Sequence, residues 1–363
     1  MAMSEPKKPE RLAAPSLLQN WWKRARTIRD APTYSEGLFF GVACIGLILF
    51  VWWRLTLGEG DSRLVDAYTL PSPGDTFASF PELWKRELSL SIIISLGRVL
   101  GGFLLAAAIG VPLGVVSGSY LRLSAFFKPL VIFGRSIPIA ALIPLTMVWF
   151  GLGEFNKVMF IFLATIAFVI FDTVNTVNAV PDRFIDTAYT LGAHGSRKKG
   201  ARIAAYAGLM YGLLVMLGWH LLSENRSEMT PEMGKSAAAL WISGLFCTAG
   251  WARFAAGFVV GFALWFPIAA HQVLRKVILP LALPDIVNSL RLIFGLAFGY
   301  VMLAEVINAK TGIGALIINS QRRGFQEHIY LCLFIITLLA WGIDRSIMLL
   351  QRQLFPHISH GEN

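Results

Sequence analysis

Residues 89–118 read SLSIIISLGRVLGGFLLAAAIGVPLGVVSG, and Arg98 is the single charged residue among them. About 20 apolar residues in an α-helix are enough to cross the hydrocarbon core of a bilayer. This stretch is therefore long enough to form a membrane-spanning helix. Gly110, Gly114 and Gly118 recur every fourth residue, a small-residue spacing that lets two membrane helices approach closely.

Apolar runs on both sides of this stretch predict a core of six spans. The other five runs are residues 37–53, 129–150, 158–175, 286–306 and 329–350. Pro138 and Pro144 interrupt the run 129–150, whereas two additional runs at 203–222 and 239–270 raise the predicted total to eight. The sequence thus predicts an all-α polytopic membrane protein, without an internal sequence repeat.

Composition supports this fold class. The chain has 363 residues, of which 55% are hydrophobic and 15% charged, and its mean hydropathy is +0.61. Soluble domains carry about 25% charged residues, so the sequence excludes soluble, disordered and fibrous chains. The net charge of +10 indicates basic cytoplasmic loops rather than a nucleic-acid partner. Cys44, Cys247 and Cys332 lie in or beside apolar runs and predict neither disulfides nor a metal site.

The distribution of charge sets the expected orientation. Residues 1–36 are rich in Lys and Arg and predict a cytoplasmic or interfacial segment. Eight spans then leave both termini in the cytoplasm, as expected for a multi-pass protein of the bacterial inner membrane. Loop 54–88 has four basic and six acidic residues and is expected outside. The outer loop with Lys310, Arg322 and Arg323 is the main exception to the positive-inside rule.

Motifs for catalysis are missing from the sequence. It contains no Walker-type phosphate loop, G-x-S-x-G or H-E-x-x-H, so we expect no catalytic residue, resident cofactor or metal in this chain. Ionisable groups at membrane depth are costly and tend to face a cavity or the bundle interior. Arg98, Arg135 and Glu305 are therefore candidates for the translocation path or for a buried polar role. Both arginines suit either an anion path or a structural contact with backbone carbonyls.

Two cytoplasmic stretches carry the most informative pattern. The first contains Asp186-Thr187-Ala188 on an amphipathic helix that Gly192 ends. The second ends in Leu279-Pro280 and leads into the span 286–306. A short surface helix of this kind either docks on a partner or lies in the membrane interface.

The two stretches resemble split halves of E-A-A-x3-G-x9-I-x-L-P, the cytoplasmic signature of ABC importer permeases, the binding-protein-dependent transport inner-membrane family. Asp186-Thr187-Ala188 takes the E-A-A position, Gly192 the glycine, and Val277-Ile278-Leu279-Pro280 the I-x-L-P. Asp and Thr replace the first two residues of the pattern. Further stretches, residues 91–102, 134–151, 289–305 and 311–317, resemble the nitrate/sulfonate/taurine/bicarbonate branch.

One departure from the pattern is large. Between Gly192 and Leu279 lie 86 residues, where the family pattern has 11. The excess predicts an inserted hydrophobic hairpin at 194–269, which leaves the inner face and returns to it. Three interpretations stay open: a lipid-facing hairpin, a docking surface for another membrane subunit, and a regulator of coupling. The predicted domains are 1–36, 37–193, 194–269, 270–350 and the cytoplasmic tail 351–363.

The resemblance implies a type I-like permease core of six helices plus two inserted helices. It also implies an ATP-driven importer of a small anion or sulfonate-like solute, in which ATP and Mg bind to a partner. The implied partners are a cytoplasmic ABC ATPase dimer, a second permease subunit in a homodimer, a periplasmic or lipid-anchored solute-binding protein, and membrane lipid.

The resemblance also assigns roles to the coupling residues. It implies that Asp186, Thr187, Ala188 and Gly192 contact the ATPase, and that Leu279 and Pro280 transmit its movement. Alternative functions are an ion-coupled secondary transporter, a polytopic membrane enzyme, and a degenerate or accessory membrane subunit.

Overall fold

A computed structural model describes residues 33–58, 63–193, 197–223, 250–308 and 310–355. These residues form helices and connecting turns, with no strand among them. The helices are α1 (Tyr34–Leu55), α2 (Pro73–Ala78), α3 (Phe80–Lys85), α4 (Leu88–Ser119), α5 (Leu121–Ser136), α6 (Ile139–Phe150), α7 (Glu154–Asn178), α8 (Asp182–Thr190), α9 (Arg197–Ser223), α10 (Gly250–Ala270), α11 (Leu279–Asn308), α12 (Ile313–Arg323) and α13 (Gln326–Leu354). A π-helical turn, Leu274–Ile278, directly precedes α11.

The chain divides into two compact units, residues 1–73 and 74–363. In the first unit, α1 begins after Thr33, whose backbone N–H donates to the Glu36 carboxylate at 2.8 Å. Its large apolar side chains are exposed, as expected for a helix that faces lipid. Near its end, Trp52 Nε1 donates to the Pro71 carbonyl at 3.0 Å.

Five of the described helical stretches are long and apolar enough to cross a membrane: α1, α4, α7, the π turn with α11, and α13. A sixth span arises if α5 and α6, which meet at a bend of 102°, count together. These correspond in order to the six predicted core spans. The predicted hairpin falls on α9 and α10, which are not among them, so its crossing of the membrane stays a prediction.

The predicted starts of three spans were wrong. The fifth core span was expected to begin at residue 286 but begins at Leu279, or at Leu274 with the π turn. The third span begins at Leu121, eight residues before the expected position, and breaks between Ser136 and Ile139. The fourth begins at Glu154 rather than at residue 158. Gly153 precedes this helix, and an acidic residue in the first turn is favourable because it faces the positive end of the helix dipole. Residues 154–157, expected in an outer loop, therefore belong to the span.

Glycines hold α4 and α7 in close contact. Along α4, Gly102, Gly110, Gly114 and Gly118 face Ile161, Val169, Thr173 and Val177 of α7 in that order. A Cβ added at any of these glycines would lie 2.6 to 2.8 Å from the facing residue. The constant offset between the two series means that the helices run parallel. The close approach predicted from the glycine spacing at 110–118 is thus confirmed.

The central core lies where α11 joins this pair. Its buried side chains come from α4, α6, α7 and α11, and Phe103 meets Phe294 edge-to-face at 5.1 Å. The fully or nearly fully buried members are Val99, Phe103, Ala106, Ile143, Phe160, Ile161, Val169, Ile293, Phe294, Ala297, Phe298 and Val301. Three spans that share one core give a rigid frame for polar groups at its two ends.

The described part of the predicted insertion is an antiparallel helix pair. Gly208 and Gly212 of α9 pack against the Phe258 and Phe254 rings of α10. In return, Gly257 and Gly261 lie against Tyr211. The helix contact predicted from the Gly257–Gly261 spacing is confirmed, with α9 as its partner.

Tyr211 connects this pair to the core. Its hydroxyl donates to the Ala108 carbonyl of α4, and Trp265 Nε1 donates to the same hydroxyl at 3.4 Å. Pro112 has no N–H, so it cannot donate to the carbonyl four residues earlier, which is that of Ala108. The tyrosine therefore satisfies a backbone acceptor that α4 leaves open.

We expect Gly102→Ala to destabilise the bundle by about 1 kcal/mol, because the new methyl group overpacks a filled site. It would lie 2.7 Å from both Ile161 Cβ and the Val158 carbonyl oxygen. Gly101→Ala is the matched control, since its Cβ would meet no atom closer than 3.6 Å. Thermal unfolding in detergent would compare the two variants. Equal melting temperatures would contradict the tight contact between α4 and α7.

Candidate functional site

The two halves of the split motif meet in space. Ala188 of α8 is 9% exposed and packs in one buried cluster with Leu274 and Ile278 of the π turn. Val115 of α4 and Ile268 of α10 belong to the same cluster. Helix α8 thus rests on the entry to α11, although the inserted residues separate the two in sequence.

Gly192 ends α8 as predicted. Its φ of +77° lies in the left-handed region, which glycine adopts without strain. Ala193 N–H donates to the Ala188 carbonyl and Gly192 N–H to the Tyr189 carbonyl, both at 3.0 Å. This pair of hydrogen bonds is the Schellman arrangement, which satisfies the last carbonyls of a helix.

The outward face of α8 is exposed within the part of the chain that the structure describes. Asp186 and Thr187 are exposed beside it. Phe184, Tyr189 and Leu191 are 40%, 55% and 82% exposed. Large apolar groups next to a carboxylate on one short helix form a surface suited to a protein partner. Of the second half-motif, Pro280 is exposed and Leu279 half-buried.

A second polar site lies near the other end of the same helices. Arg98 is 3% and Glu305 0% exposed, and Arg98 Nη1 lies 2.6 Å from Glu305 Oε1. The other two guanidinium nitrogens, Nε and Nη2, donate to the Glu154 carboxylate at 2.5 and 2.7 Å. Lys157 Nζ donates to the same carboxylate at 2.6 Å. The four side chains form a network of two cations and two anions.

The backbone before α12 completes this network. Gly314 N–H donates to Glu305 Oε2 at 2.9 Å, and Arg98 Nη1 donates to the Thr311 carbonyl at 2.8 Å. Ser95 donates to both Glu305 oxygens and accepts from Ile313 N–H at 3.0 Å. The network therefore fastens α4, α7 and α11 to the segment that enters α12.

Gly312 lies at the most crowded point of this segment. Its φ of +116° is outside the range that side chains favour. A Cβ there would lie 2.5 Å from Arg98 Nη1 and 2.6 Å from the Glu305 carboxyl. Only glycine lets the backbone approach the ion pair so closely.

The two sites occupy opposite ends of the bundle. Arg98 and Val115 are 17 residues apart on α4, which corresponds to roughly 25 Å at the rise of an α-helix. Val115 packs near α8. In the predicted orientation, the ion network lies at the extracytoplasmic end and α8 at the cytoplasmic end.

The three polar residues that were predicted for the translocation path or a buried role do not lie together. The structure pairs Arg98 with Glu305 inside the network, whereas Arg135 lies elsewhere against α7. The Arg135 guanidinium sits 3.7 Å from the Phe171 ring centroid and 5.2 Å from that of Phe168. A cation over aromatic faces is a stabilising contact. Arg135 therefore takes no part in the network at the far end.

Sequence reasoning missed Glu154 and Lys157. Both were assigned to an outer loop, because the apolar run of the fourth span starts only at residue 158. The signal present was Gly153 followed by an acid–base pair three residues apart, a spacing typical of the first turn of a helix. Ser95 gave no signal, since a single serine in a membrane helix is common.

The chain is similar in sequence to known transport permeases. The chain shares 22% identity with the taurine transport system permease protein of Escherichia coli, over 96% of this chain and 99% of that protein. A Bacillus subtilis protein assigned as an aliphatic sulfonates transport permease is 23% identical over 91% and 92%. An inward-facing MetNI methionine ABC transporter structure aligns with a TM-score of 0.49 and 17% identity, over 75% of this chain and 97% of that chain.

The sequence model of one family matches two segments, residues 110–198 and 259–360, which together make up more than half of the chain. The unmatched residues between them lie inside the predicted insertion and include most of α9. The matched segments contain both halves of the coupling motif and the Glu305 end of the ion network. The chain therefore belongs to the binding-protein-dependent transport system inner membrane component family.

Proposed function

We propose that this chain is the permease subunit of an ATP-driven importer whose coupling helix, α8, binds a cytoplasmic ATPase. The observation that carries the proposal is the shared cluster of Ala188 and Ile278. Because α8 contacts the start of α11 directly, movement of α8 reaches α11 without passing through the inserted helices.

The exposed face of α8 provides the contact with the ATPase. Asp186 and Thr187 supply polar groups there, and Phe184, Tyr189 and Leu191 supply apolar area. Ala188 faces inward, and Leu279 and Pro280 follow the π turn at the start of α11. In this arrangement, the ATPase pair binds outside, and Ala188 transmits its closure to α11.

The far end of α11 is tied to two other spans. Arg98 joins Glu305 of α11 to α4 and, through Glu154, to α7. Movement that enters α11 at the coupling end therefore carries α4 and α7 with it. We propose that these spans move together as one unit between inward- and outward-open states.

The relatives support a proposal for the solute class, and the charge pattern supports one for the orientation of the chain. The taurine and aliphatic sulfonates permeases support a sulfonate or a similar small anion as the solute. A solute-binding protein outside delivers it, and a second copy of the chain completes the path at a homodimer axis. ATP and Mg bind to the ATPase, and both termini of this chain lie in the cytoplasm.

Gly192→Leu tests the coupling surface. A non-glycine residue in the left-handed region costs about 1 to 2 kcal/mol, so we expect capture of the ATPase from detergent extracts to weaken about tenfold. No atom lies within 4 Å of an added Cβ, so the effect comes from the altered end of α8. Co-purification of the tagged full chain with its ATPase gives the measurement.

Gly324→Leu is the matched control. Gly324 also has a left-handed φ, +78°, and open space around it, but it ends α12 at the other end of the bundle. We expect this variant to capture the ATPase as the wild type does. Equal capture by the wild type and Gly192→Leu would refute α8 as the docking helix. Solute uptake without any ATPase would instead favour a secondary transporter.

A further inference from the structure

A cavity of about 230 Å³ opens beside the ion network, between the start of α4, the segment before α12 and α12 itself. Its wall is formed by Arg86, Glu87, Ser91, Lys310, Thr311, Gly312, Ala315, Leu316, Asn319, Ser320 and Arg323. None of these residues belongs to the coupling surface, and only Thr311 and Gly312 are shared with the ion network.

Positive charge dominates the wall of this cavity. Arg86, Lys310 and Arg323 line it, against the single carboxylate of Glu87. Lys310 and Arg323 are two of the three residues that break the expected charge pattern of the outer loop. Like charges around one cavity repel each other, and a bound anion would offset that repulsion.

Arg86 is held in place from behind the cavity. Its Nη2 lies 2.5 Å from Glu82 Oε1, and its guanidinium carbon lies 4.9 Å from the centroid of the Phe325 ring. These contacts use one nitrogen and one face of the planar group. The two contacts fix the orientation of the guanidinium, because a planar group that is held at one edge and one face has little freedom to rotate.

Two buried hydroxyls also line the cavity. Ser91 is 5% and Ser320 2% exposed, and both residues line the cavity. A serine hydroxyl can donate a hydrogen bond to an oxyanion. The two serines therefore supply candidate donors to a ligand in the cavity.

The base of the cavity is rigid. Arg98 donates to the Thr311 carbonyl, and Gly312 is packed against the Arg98–Glu305 pair. The ligand-facing backbone at these residues is thus anchored to three spans. A preorganised site loses less entropy on binding than a mobile loop does.

We propose that this cavity binds the anionic end of the transported solute, a sulfonate or a similar tetrahedral oxyanion, before it enters the translocation path. The assignment rests on the proposed importer function. The oxygens of such a group accept hydrogen bonds from Ser91 and Ser320 and pair with Lys310 and Arg323. A lipid phosphate has the same chemistry, and the experiment separates the two sources.

The test measures binding of ³⁵S-labelled ethanesulfonate to the full chain in neutral phosphatidylcholine nanodiscs, by equilibrium dialysis. The variant Lys310→Gln/Arg323→Gln removes two cations from the wall. Each charged hydrogen bond is worth about 1.5 to 3 kcal/mol, so we expect affinity to fall at least about tenfold. Arg322→Gln is the matched control, because Arg322 is next to Arg323 on α12 but does not line the cavity.

Retained affinity in Arg322→Gln, with loss in the double variant, supports the proposal. Equal losses of affinity in both variants would mean that only the overall charge matters, and would overturn the proposal. A wild-type chain that does not bind the probe would also overturn it. Nanodiscs with phosphatidylglycerol form the second arm: if this lipid abolishes binding, the cavity takes lipid headgroups and the solute assignment fails. Because no ATPase is present, failure here is separate from failure of ATPase capture.

Discussion

Arg98→Met is expected to destabilise the folded chain by about 3 to 5 kcal/mol. Removing one partner of a buried ion pair leaves an uncompensated charge at low dielectric. Here the loss leaves Glu305, which is 0% exposed, without its cation, and leaves Glu154 with Lys157 alone. The long methionine side chain keeps most of the packing volume, so the effect reports charge rather than a cavity.

A second substitution should restore much of this stability. In Arg98→Met/Glu305→Gln, the charges that remain are Glu154 and Lys157, which still pair at 2.6 Å. The network is again neutral, so we expect the double variant to be more stable than Arg98→Met by about 1 to 3 kcal/mol. Additive losses in the double variant would show that the four charges do not act as one unit.

Unfolding in sodium dodecyl sulfate, followed by tryptophan fluorescence, measures both variants against the wild type. Arg345→Met provides the control, because Arg345 is an exposed arginine that contacts Met348 of its own helix. Surface charges contribute about 0 to 1 kcal/mol, so this variant should unfold like the wild type. An Arg98→Met chain as stable as the control would contradict the network.

Tyr211→Phe is expected to cost about 2 kcal/mol, because a half-buried carbonyl loses the hydroxyl that donates to it. The phenylalanine ring keeps the packing against Gly261. What disappears is the hydroxyl that serves the Ala108 carbonyl, which Pro112 leaves without a helical partner. The same unfolding assay gives the loss.

Pro112→Ala supplies the missing N–H and makes the hydroxyl redundant. In a Pro112→Ala background, Tyr211→Phe should cost about 1 kcal/mol less than in the wild type, because α4 then satisfies Ala108 itself. The difference between the two backgrounds isolates the contact of α9 with α4. An identical cost in both would mean that the tyrosine acts through packing alone.

The arrangement of spans follows from the sequence because long apolar runs admit few alternatives in a bilayer. Glycines at a spacing of four residues predicted that a helix approaches α4 closely, and Gly192 predicted the end of α8. The partner of α4, helix α7, became known only from the structure. These predictions rest on local chemistry, which a sequence displays directly. By contrast, the meeting of Ala188 with Ile278 is a long-range contact, and no local pattern across the intervening residues encodes it.

The ion network was predictable only in part. Arg98 and Glu305 stand out because they interrupt apolar spans, but their pairing joins residues 207 positions apart. Glu154 and Lys157 were hidden by a boundary error of four residues, since an acidic first turn resembles a loop in hydropathy. The break at Ile137-Pro138 was placed correctly, but the break expected at Pro144 was wrong, because Pro144 lies inside the continuous helix α6. The start of α5 lacks a strongly apolar first turn and was missed.

The inserted pair also shows where local reasoning ends. Its glycine spacing predicted a helix contact. The hydrogen bond from the Tyr211 hydroxyl to the Ala108 carbonyl could not be predicted, because the sequence does not show which face of α4 lies near α9. The three interpretations of the insertion differ in their physical demands. A contact that satisfies a core carbonyl favours integration with the permease over a hairpin that only faces lipid. Cys247 and the residues between α9 and α10 lie outside the described part of the chain.

The π-helical turn at Leu274–Ile278 gives the coupling end a rotational degree of freedom. A π turn holds one more residue than the same length of α-helix, and its N–H groups still have partners. If the turn became regular α-helix, the residues before it would rotate by about 100° about the helix axis relative to α11. Under the proposed coupling role of α8, which rests on this turn, movement of that helix is absorbed as a twist. A twist of this kind exposes no unpaired backbone to lipid, whereas sliding α11 along its axis would drag polar ends into the hydrocarbon.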